Sequence, residues 1–221
     1  MIRFASLGSG SQGNALVVDA GETKVLLDCG FSTRVATARL ARLGTSAEEL
    51  AAILVTHEHG DHVAGVFSLA CRYRIPVYLT HGTHAAAARG RSGLPECRLI
   101  DGHAPFAVGS LAVQPFPVPH DAREPVQYAF SDGRHRLGVL TDSGSITPHI
   151  VDVLGLCDAL VLECNHDQTL LAASTYPARL KQRIAGRFGH LENRQAAALL
   201  QQVDTRRLQH VVAAHLSQEN N

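Results

Sequence analysis

Apolar residues in this chain come mostly in short runs bounded by glycine, proline, aspartate and serine, a spacing that predicts strands and turns with helices between them. The opening MIRFASLGSGSQGN reads as a strand followed by a glycine turn. Residues 14–19 and 24–28 flank the turn Ala20-Gly21-Glu22-Thr23 and predict a hairpin. A helix is predicted over 34–43, a fully apolar strand over 52–55, a helix over 62–74 and a strand over 75–79. Strands follow at 111–118, 126–131 and 136–140, with Gly109, Asp132 and Gly133 marking turns. The remainder predicts helices at 146–156, 178–187 and 194–203 and strands at 159–163 and 208–213. Strands interleaved with helices at both ends predict two sheets packed face to face with helices outside, an α/β class. No repeat, linker or low-complexity stretch divides the chain, so one domain over 1–221 is expected.

The apolar run 52–55 opens directly into THEHGDH, residues 56–62. Alternate side chains of an extended chain share a face, so His57, His59 and Asp61 are predicted to point together while Glu58 turns aside. Gly60 lets the chain bend, and Asp61 is placed to cap a helix beginning at His62. Imidazole and carboxylate together suit zinc, iron or manganese rather than calcium or magnesium. Taken alone, the segment is also readable as a histidine-rich loop with incidental metal affinity. Three more residues change that: His120, Asp142 and His215 each follow a separate apolar strand. A structural residue would explain any one of them, but together they predict one shared site at an edge of the sheets.

Bulk composition narrows the setting. Apolar content of 45 % gives enough material for a sizeable core, and a formal net charge of zero leaves no global field to recruit nucleic acid or membrane. Five cysteines without a C-x-x-C pair predict reduced thiols in a cytosolic protein. Neither an export signal nor a run of ~20 apolar residues is present, so a soluble cytoplasmic protein is expected, with no membrane partner.

The pattern H-x-H-x-D-H followed by distant His, Asp and His resembles the metallo-β-lactamase-fold hydrolases across essentially the whole chain. The resemblance implies a four-layer αββα sandwich with two divalent metal ions, zinc or alternatively manganese or iron. His57, His59 and His120 would hold one ion; Asp61, His62 and His215 would hold the other, and Asp142 would bridge them. The segments SLGSGSQGNA, LECNHD (162–167), GHLEN (189–193) and HLSQENN are similar to the YycJ-type subgroup, regarded as phosphodiesterases with exonuclease-like activity on DNA. Serine is usual there where Cys164 and Glu192 stand, and Glu192 adds negative charge beside His190. Relatives usually continue past HLSQENN with another helix, so this chain is expected to lack a C-terminal helix that they carry.

Two divalent cations less Asp61, Asp142 and a metal-bridging hydroxide leave a site of about plus one, which favours an anion such as a phosphodiester, DNA or RNA included. Asp61 is expected to orient the attacking water. His190 is the candidate to hydrogen-bond a phosphate oxygen or assist the leaving group, a histidine satisfied at a helix boundary being the alternative. Ser9, Ser11 and Asn14 line the pocket or simply make a hairpin turn. Glu163, His166 and Asp167 are expected to orient ligands, whereas His81, His84, His103, His135, His149 and His210 are assigned no chemistry. Arg179, Lys181, Arg183, Arg187, Arg194, Arg206 and Arg207 form either a basic rim that tracks a nucleic-acid backbone or a solvated helix pair. With no tryptophan and 5 % aromatics, extensive base stacking is not expected. Two rivals stay open: a thioester or lactone hydrolase on the same fold, and a non-catalytic metal-binding module.

Overall fold

The computed structural model describes residues 1–221. One sheet carries β1 (Arg3–Gly8), β2 (Ala15–Asp19), β3 (Lys24–Leu27), β4 (Leu50–Leu54), β5 (Val77–Thr80) and β6 (Cys97–Ile100) in that order. Its first three strands are antiparallel; β3 to β6 are parallel. The other sheet contains β7 (Phe106–Val108), β8 (Leu111–Pro117), β9 (Val126–Ser131), β10 (Arg136–Leu140), β11 (Ala159–Glu163) and β12 (His210–Ala214), also in sequence order. There β7 to β10 are antiparallel, and β11 and β12 run parallel to β10. The helices are α1 (Thr33–Arg42), α2 (Gly60–Val63), α3 (Val66–Tyr73), α4 (His81–Ala87), α5 (Pro148–Leu154), α6 (Gln168–Ala173), α7 (Ala178–Ile184) and α8 (Asn193–Gln202). None is long and apolar enough to cross a membrane.

The two-residue period of each strand explains the layers. Leu16, Val18, Ala52, Leu54 and Val161 face the opposite sheet and join Tyr128, Phe130 and Val139 in a core between the sheets. Their alternates Ala15, Val17, Ile53 and Val55 pack outward under Leu40 of α1 and Phe67 and Leu69 of α3. Leu160 and Leu162 likewise pack under Ile150 of α5 and Leu199 of α8. Helices outside two facing sheets give the αββα sandwich that the pattern predicted.

Three features differ from the sequence expectation. The helix expected over 62–74 is broken into α2 and α3 at Gly65, whose N–H donates to Cys29 O at 2.8 Å. A Cβ there would lie 1.8 Å from Phe31 O, so the close backbone approach excludes any side chain. The edge strands β6 and β7 and the helices α4 and α6 were not predicted; three- to seven-residue elements carry too few positions for a period to show. Strand β12, read as an apolar strand like the others, is a sheet edge with Val211 and Val212 exposed. All five cysteines are free, as their spacing suggested.

Candidate metal centre

Strands β3, β4, β10, β11 and β12 deliver their carboxyl ends to one edge of the sandwich, and β8 does so too because β8 and β10 are each antiparallel to β9. Open α/β sheets place ligands at that end. Here β4 runs into His57, β8 into His120, β10 into Asp142 and β12 into His215. The Tyr128 hydroxyl donates to Val55 O at 2.9 Å, tying the exit of β4 to the facing sheet. The loops carrying Asp142 and His190 meet at Gly144, where a Cβ would stand 2.3 Å from Gly189 N.

Two groups of donors result, with Asp142 between them. In the first, His59 Nδ1 lies 3.0 Å from His57 Nε2 and 3.2 Å from His120 Nε2. The Thr56 hydroxyl donates to Asp28 Oδ2 at 2.8 Å, so it accepts from His57 Nδ1–H at 2.9 Å; His120 Nδ1–H donates to Gly189 O at 3.0 Å. Both Nε2 atoms are therefore lone pairs turned toward His59. In the second group, Asp61 Oδ2 lies 3.5 Å from both His62 Nε2 and His215 Nε2. Asp142 Oδ2 is 3.2 Å from His62 Nε2, and its Oδ1 is 3.9 Å from His120 Nε2. Asp142 is 1 % exposed, yet its Oδ2 and the Nε2 of His215 have no hydrogen-bond partner. Converging lone pairs and orphaned buried polar atoms are what a cation would satisfy. Five imidazoles and two carboxylates fit zinc, iron or manganese.

Electrostatics point the same way. Burial alone would push His62 down, but the Asp142 and Asp28 carboxylates hold it well above the ordinary imidazole range. Burial likewise opposes the charge on His215, yet Asp142, Asp61 and Glu163 raise it to about 10. Burial and the charge on His62 drive His57 well below that range. Against their burial, Asp61 and Asp142 are held well below the usual carboxylate range, Asp61 by the neighbouring His215 and His62 imidazoles, Asp142 by the charges of His215, His62 and His57. Without metal, imidazolium protons thus supply the positive charge these carboxylates face, and a bound cation would displace them.

Glu163, fully buried, sits behind this cluster. Its Oε1 is 2.7 Å from His190 Nδ1 and 3.3 Å from His215 Nδ1, while Oε2 accepts from the N–H of Ser143 and Leu191. It thereby turns His215 Nε2 and His190 Nε2 away from itself. His190 also lines an open pocket of about 320 Å³ together with His59, Asp61, Asp142 and His215, and no apolar side chain contributes to its wall.

Several sequence expectations need correction. Asp61 does not cap a helix at His62: α2 starts at Gly60 with His59 as its N-cap residue, and the Asp61 carboxylate turns to His62 and His215. Ser11 lines the pocket but Ser9 does not; the Ser9 hydroxyl accepts the His215 N–H at 2.6 Å, holding that residue in its left-handed conformation (φ 52°). Asn14 is buried, and its amide reaches Asp61 Oδ2 at 3.1 Å. His166 touches no candidate ligand; its Nδ1 meets Asn165, which donates to His215 O. Asp167 caps α6 instead of orienting a ligand. Glu192 is the N-cap residue of α8, where a negative charge meets the helix dipole. Glu58 does turn aside, accepting the Arg123 N–H. Of the basic segment, Arg206 and Arg207 pair with Asp204 and Asp158 beyond the opposite end of the strands, so only part of it can border the site. The six histidines assigned no chemistry join no donor cluster.

Sequence reasoning missed Asp28 and Asp121. Asp28 accepts from His62 Nδ1 and from the Thr56 N–H and hydroxyl, all at 2.8 Å, which fixes the His62 ring with Nε2 toward Asp61. Its signal was present, an acid at the exit of β3 like Asp142 at the exit of β10, but it read as the end of a hairpin. Asp121 lies 3.7 Å from His59 Nε2 and pairs with Arg183.

Comparison with known proteins agrees with this geometry. The β-lactamase superfamily domain family matches residues 23–212. The chain is 36 % identical over 226 residues to exodeoxyribonuclease YycJ of Bacillus anthracis, covering 100 % of this chain and 84 % of that protein. It is 32 % identical over 223 residues to exodeoxyribonuclease WalJ of Streptococcus pneumoniae serotype 2, covering 99 % of this chain and 83 % of the relative. The crystal structure of human tRNase Z, short form, superimposes with a TM-score of 0.73 over 99 % of this chain and 93 % of the other, at 19 % identity, a likeness of fold alone. The chain belongs to the metallo-β-lactamase superfamily of metal-dependent hydrolases.

Proposed function

We propose that residues 1–221 form one binuclear metal-dependent phosphodiesterase domain acting on nucleic acid, with DNA, trimmed from an end, as the foremost substrate. The reading rests on the two donor groups meeting at Asp142, whose Oδ2 is buried without a partner beside a pocket with an all-polar wall. The exodeoxyribonuclease relatives supply the DNA preference, and the free cysteines fit a reducing compartment such as the cytoplasm.

His57, His59 and His120 would hold one ion, and Asp61, His62 and His215 the other, with Asp142 shared; zinc suits this donor set. When bound, a pair of divalent ions lowers the pKa of water and spreads positive charge over a phosphoryl group. Asp61 Oδ1 has no protein partner while Oδ2 accepts from Asn14, so Oδ1 is free to accept a proton of the attacking water and aim it. His190 is raised by Glu163, against the effect of burial, and presents an N–H at Nε2 to a non-bridging or leaving oxygen. Asn14, Asp28 and Glu163 act through Asp61, His62 and His215, whose orientations they set.

The test is a panel on zinc- or manganese-reconstituted protein: 5′-phosphorylated single- and double-stranded DNA, RNA, bis(p-nitrophenyl) phosphate, a lactone and a thioester. Metal-dependent cleavage of the phosphodiesters, lost with chelator, is expected. Preference for the thioester or lactone would overturn the substrate, and metal uptake without any hydrolysis would leave a binding module.

A further inference from the structure

We propose that Arg183 is the clamp that seizes a phosphate oxygen of the substrate at the mouth of the metal pocket. The inference rests on the phosphodiesterase reading and adds to it the residue that selects a charged group over a neutral ester.

Arg183 lies on α7 and is the one residue of permanent positive charge lining the pocket that Asp61, Asp142 and His190 also line. Its guanidinium does not swing freely. Nε donates to Asp121 Oδ2 at 2.5 Å and Nη2 to Asp121 Oδ1 at 3.3 Å, a side-on pair. Asp121 in turn follows His120 directly and stands 3.7 Å from His59 Nε2, so it is fixed beside the first donor group. Arginine has five N–H donors. The two on the Asp121 side are used; the remaining three, at the outer end of the fork, have no protein acceptor. That end carries the paired N–H geometry that matches two phosphate oxygens. A side chain that only pinned α7 to the loop after β8 would need the Asp121 contact and nothing else. Lining a pocket of all-polar wall, it is placed to meet an anion as it enters.

The other basic residues of the segment do not share this placement. Lys181 donates to Ala172 O, Arg187 lies over the Phe188 ring, and Arg206 and Arg207 are paired with carboxylates elsewhere. The basic rim suggested by the sequence thus narrows to one oriented guanidinium at the pocket.

The experiment compares Arg183→Ala, Arg183→Lys and Asp121→Asn with the unmodified zinc-loaded protein, on bis(p-nitrophenyl) phosphate and on a 5′-phosphorylated single-stranded oligodeoxynucleotide across a salt series. Arg183→Ala is expected to raise KM for both about 10- to 100-fold, with the effect on KM rather than kcat and with metal content retained. For the oligonucleotide, the slope of log(1/KM) against log salt falls by about 0.7–1, one phosphate contact. Arg183→Lys recovers part of the KM and the salt slope, because charge returns without the fork. Asp121→Asn keeps the salt slope. An unchanged KM in Arg183→Ala overturns the proposal, as does a loss of kcat and metal matched by Asp121→Asn, which is the behaviour of a structural pin. If the unmodified protein cleaves neither phosphodiester, the phosphodiesterase reading fails by itself. Binding of inorganic phosphate to the zinc-loaded protein then decides for Arg183: a tenfold or greater weakening in Arg183→Ala sustains the clamp, and equal binding ends it.

Discussion

Replacing Asp61 by alanine is expected to lower kcat on a phosphodiester by about 10²–10⁴-fold, the range of a positioned proton acceptor, even at saturating zinc. The neighbouring His215 and His62 imidazoles hold the carboxylate well below the usual range, so it is ionised at neutral pH. One oxygen faces those two imidazoles and the Asn14 amide; the other has no protein partner, and the residue lines the pocket. Alanine removes a candidate ligand and the water-orienting oxygen together. Asp61→Asn separates the two, because the amide keeps the shape and one carbonyl oxygen but is a poor proton acceptor. Steady-state kinetics with metal analysis on both variants checks this. Near-normal turnover in Asp61→Ala refutes the role.

Asp142→Ala is expected to act through metal retention. Asp142 lies between the two donor groups, buried among His57, His62, His120, His190 and His215, and is proposed to serve both. Without it, a second divalent ion would enter a cluster of imidazoles with one carboxylate fewer to offset its charge, and bound zinc should fall from about two equivalents to about one or fewer. A ligand at 100-fold excess over its Kd stabilises a fold by about 2.7 kcal/mol, and a comparable share of the zinc-dependent rise in Tm should disappear. Hydrolysis falls with the lost ion. Thermal unfolding with and without zinc, alongside elemental analysis, measures it; an unaltered zinc-dependent shift would contradict the shared role.

The sequence carried most of the site because its logic is local. Alternation along the extended segment just past β4 marked His57 and His59 as a pair, and a polar residue shortly after an apolar strand marked His120, Asp142 and His215. Residues whose placement depends on a third segment were harder to read. Asp28 faces His62 only because β3 and β4 are parallel neighbours, and its left-handed φ of 59° turns the chain at that point. Arg183 reaches the pocket through Asp121, sixty-two positions away in the chain, which no periodicity reports. The break between α2 and α3 was equally hidden, since it comes from the Phe31 backbone crossing Gly65 rather than from a helix-breaking sequence. Asp61 was assigned to a cap from its place before a helix, but tertiary partners took its carboxylate.

The claim beneath all of this is that seven side chains from both sheets enclose a pair of divalent ions. Anomalous diffraction from crystals of zinc-loaded protein, recorded on either side of the zinc absorption edge, addresses it directly. Two peaks about 3.5–4 Å apart are expected, one among His57, His59 and His120 and the other among Asp61, His62 and His215, with Asp142 touching both. A lone peak, or peaks away from Asp142, would contradict the binuclear centre.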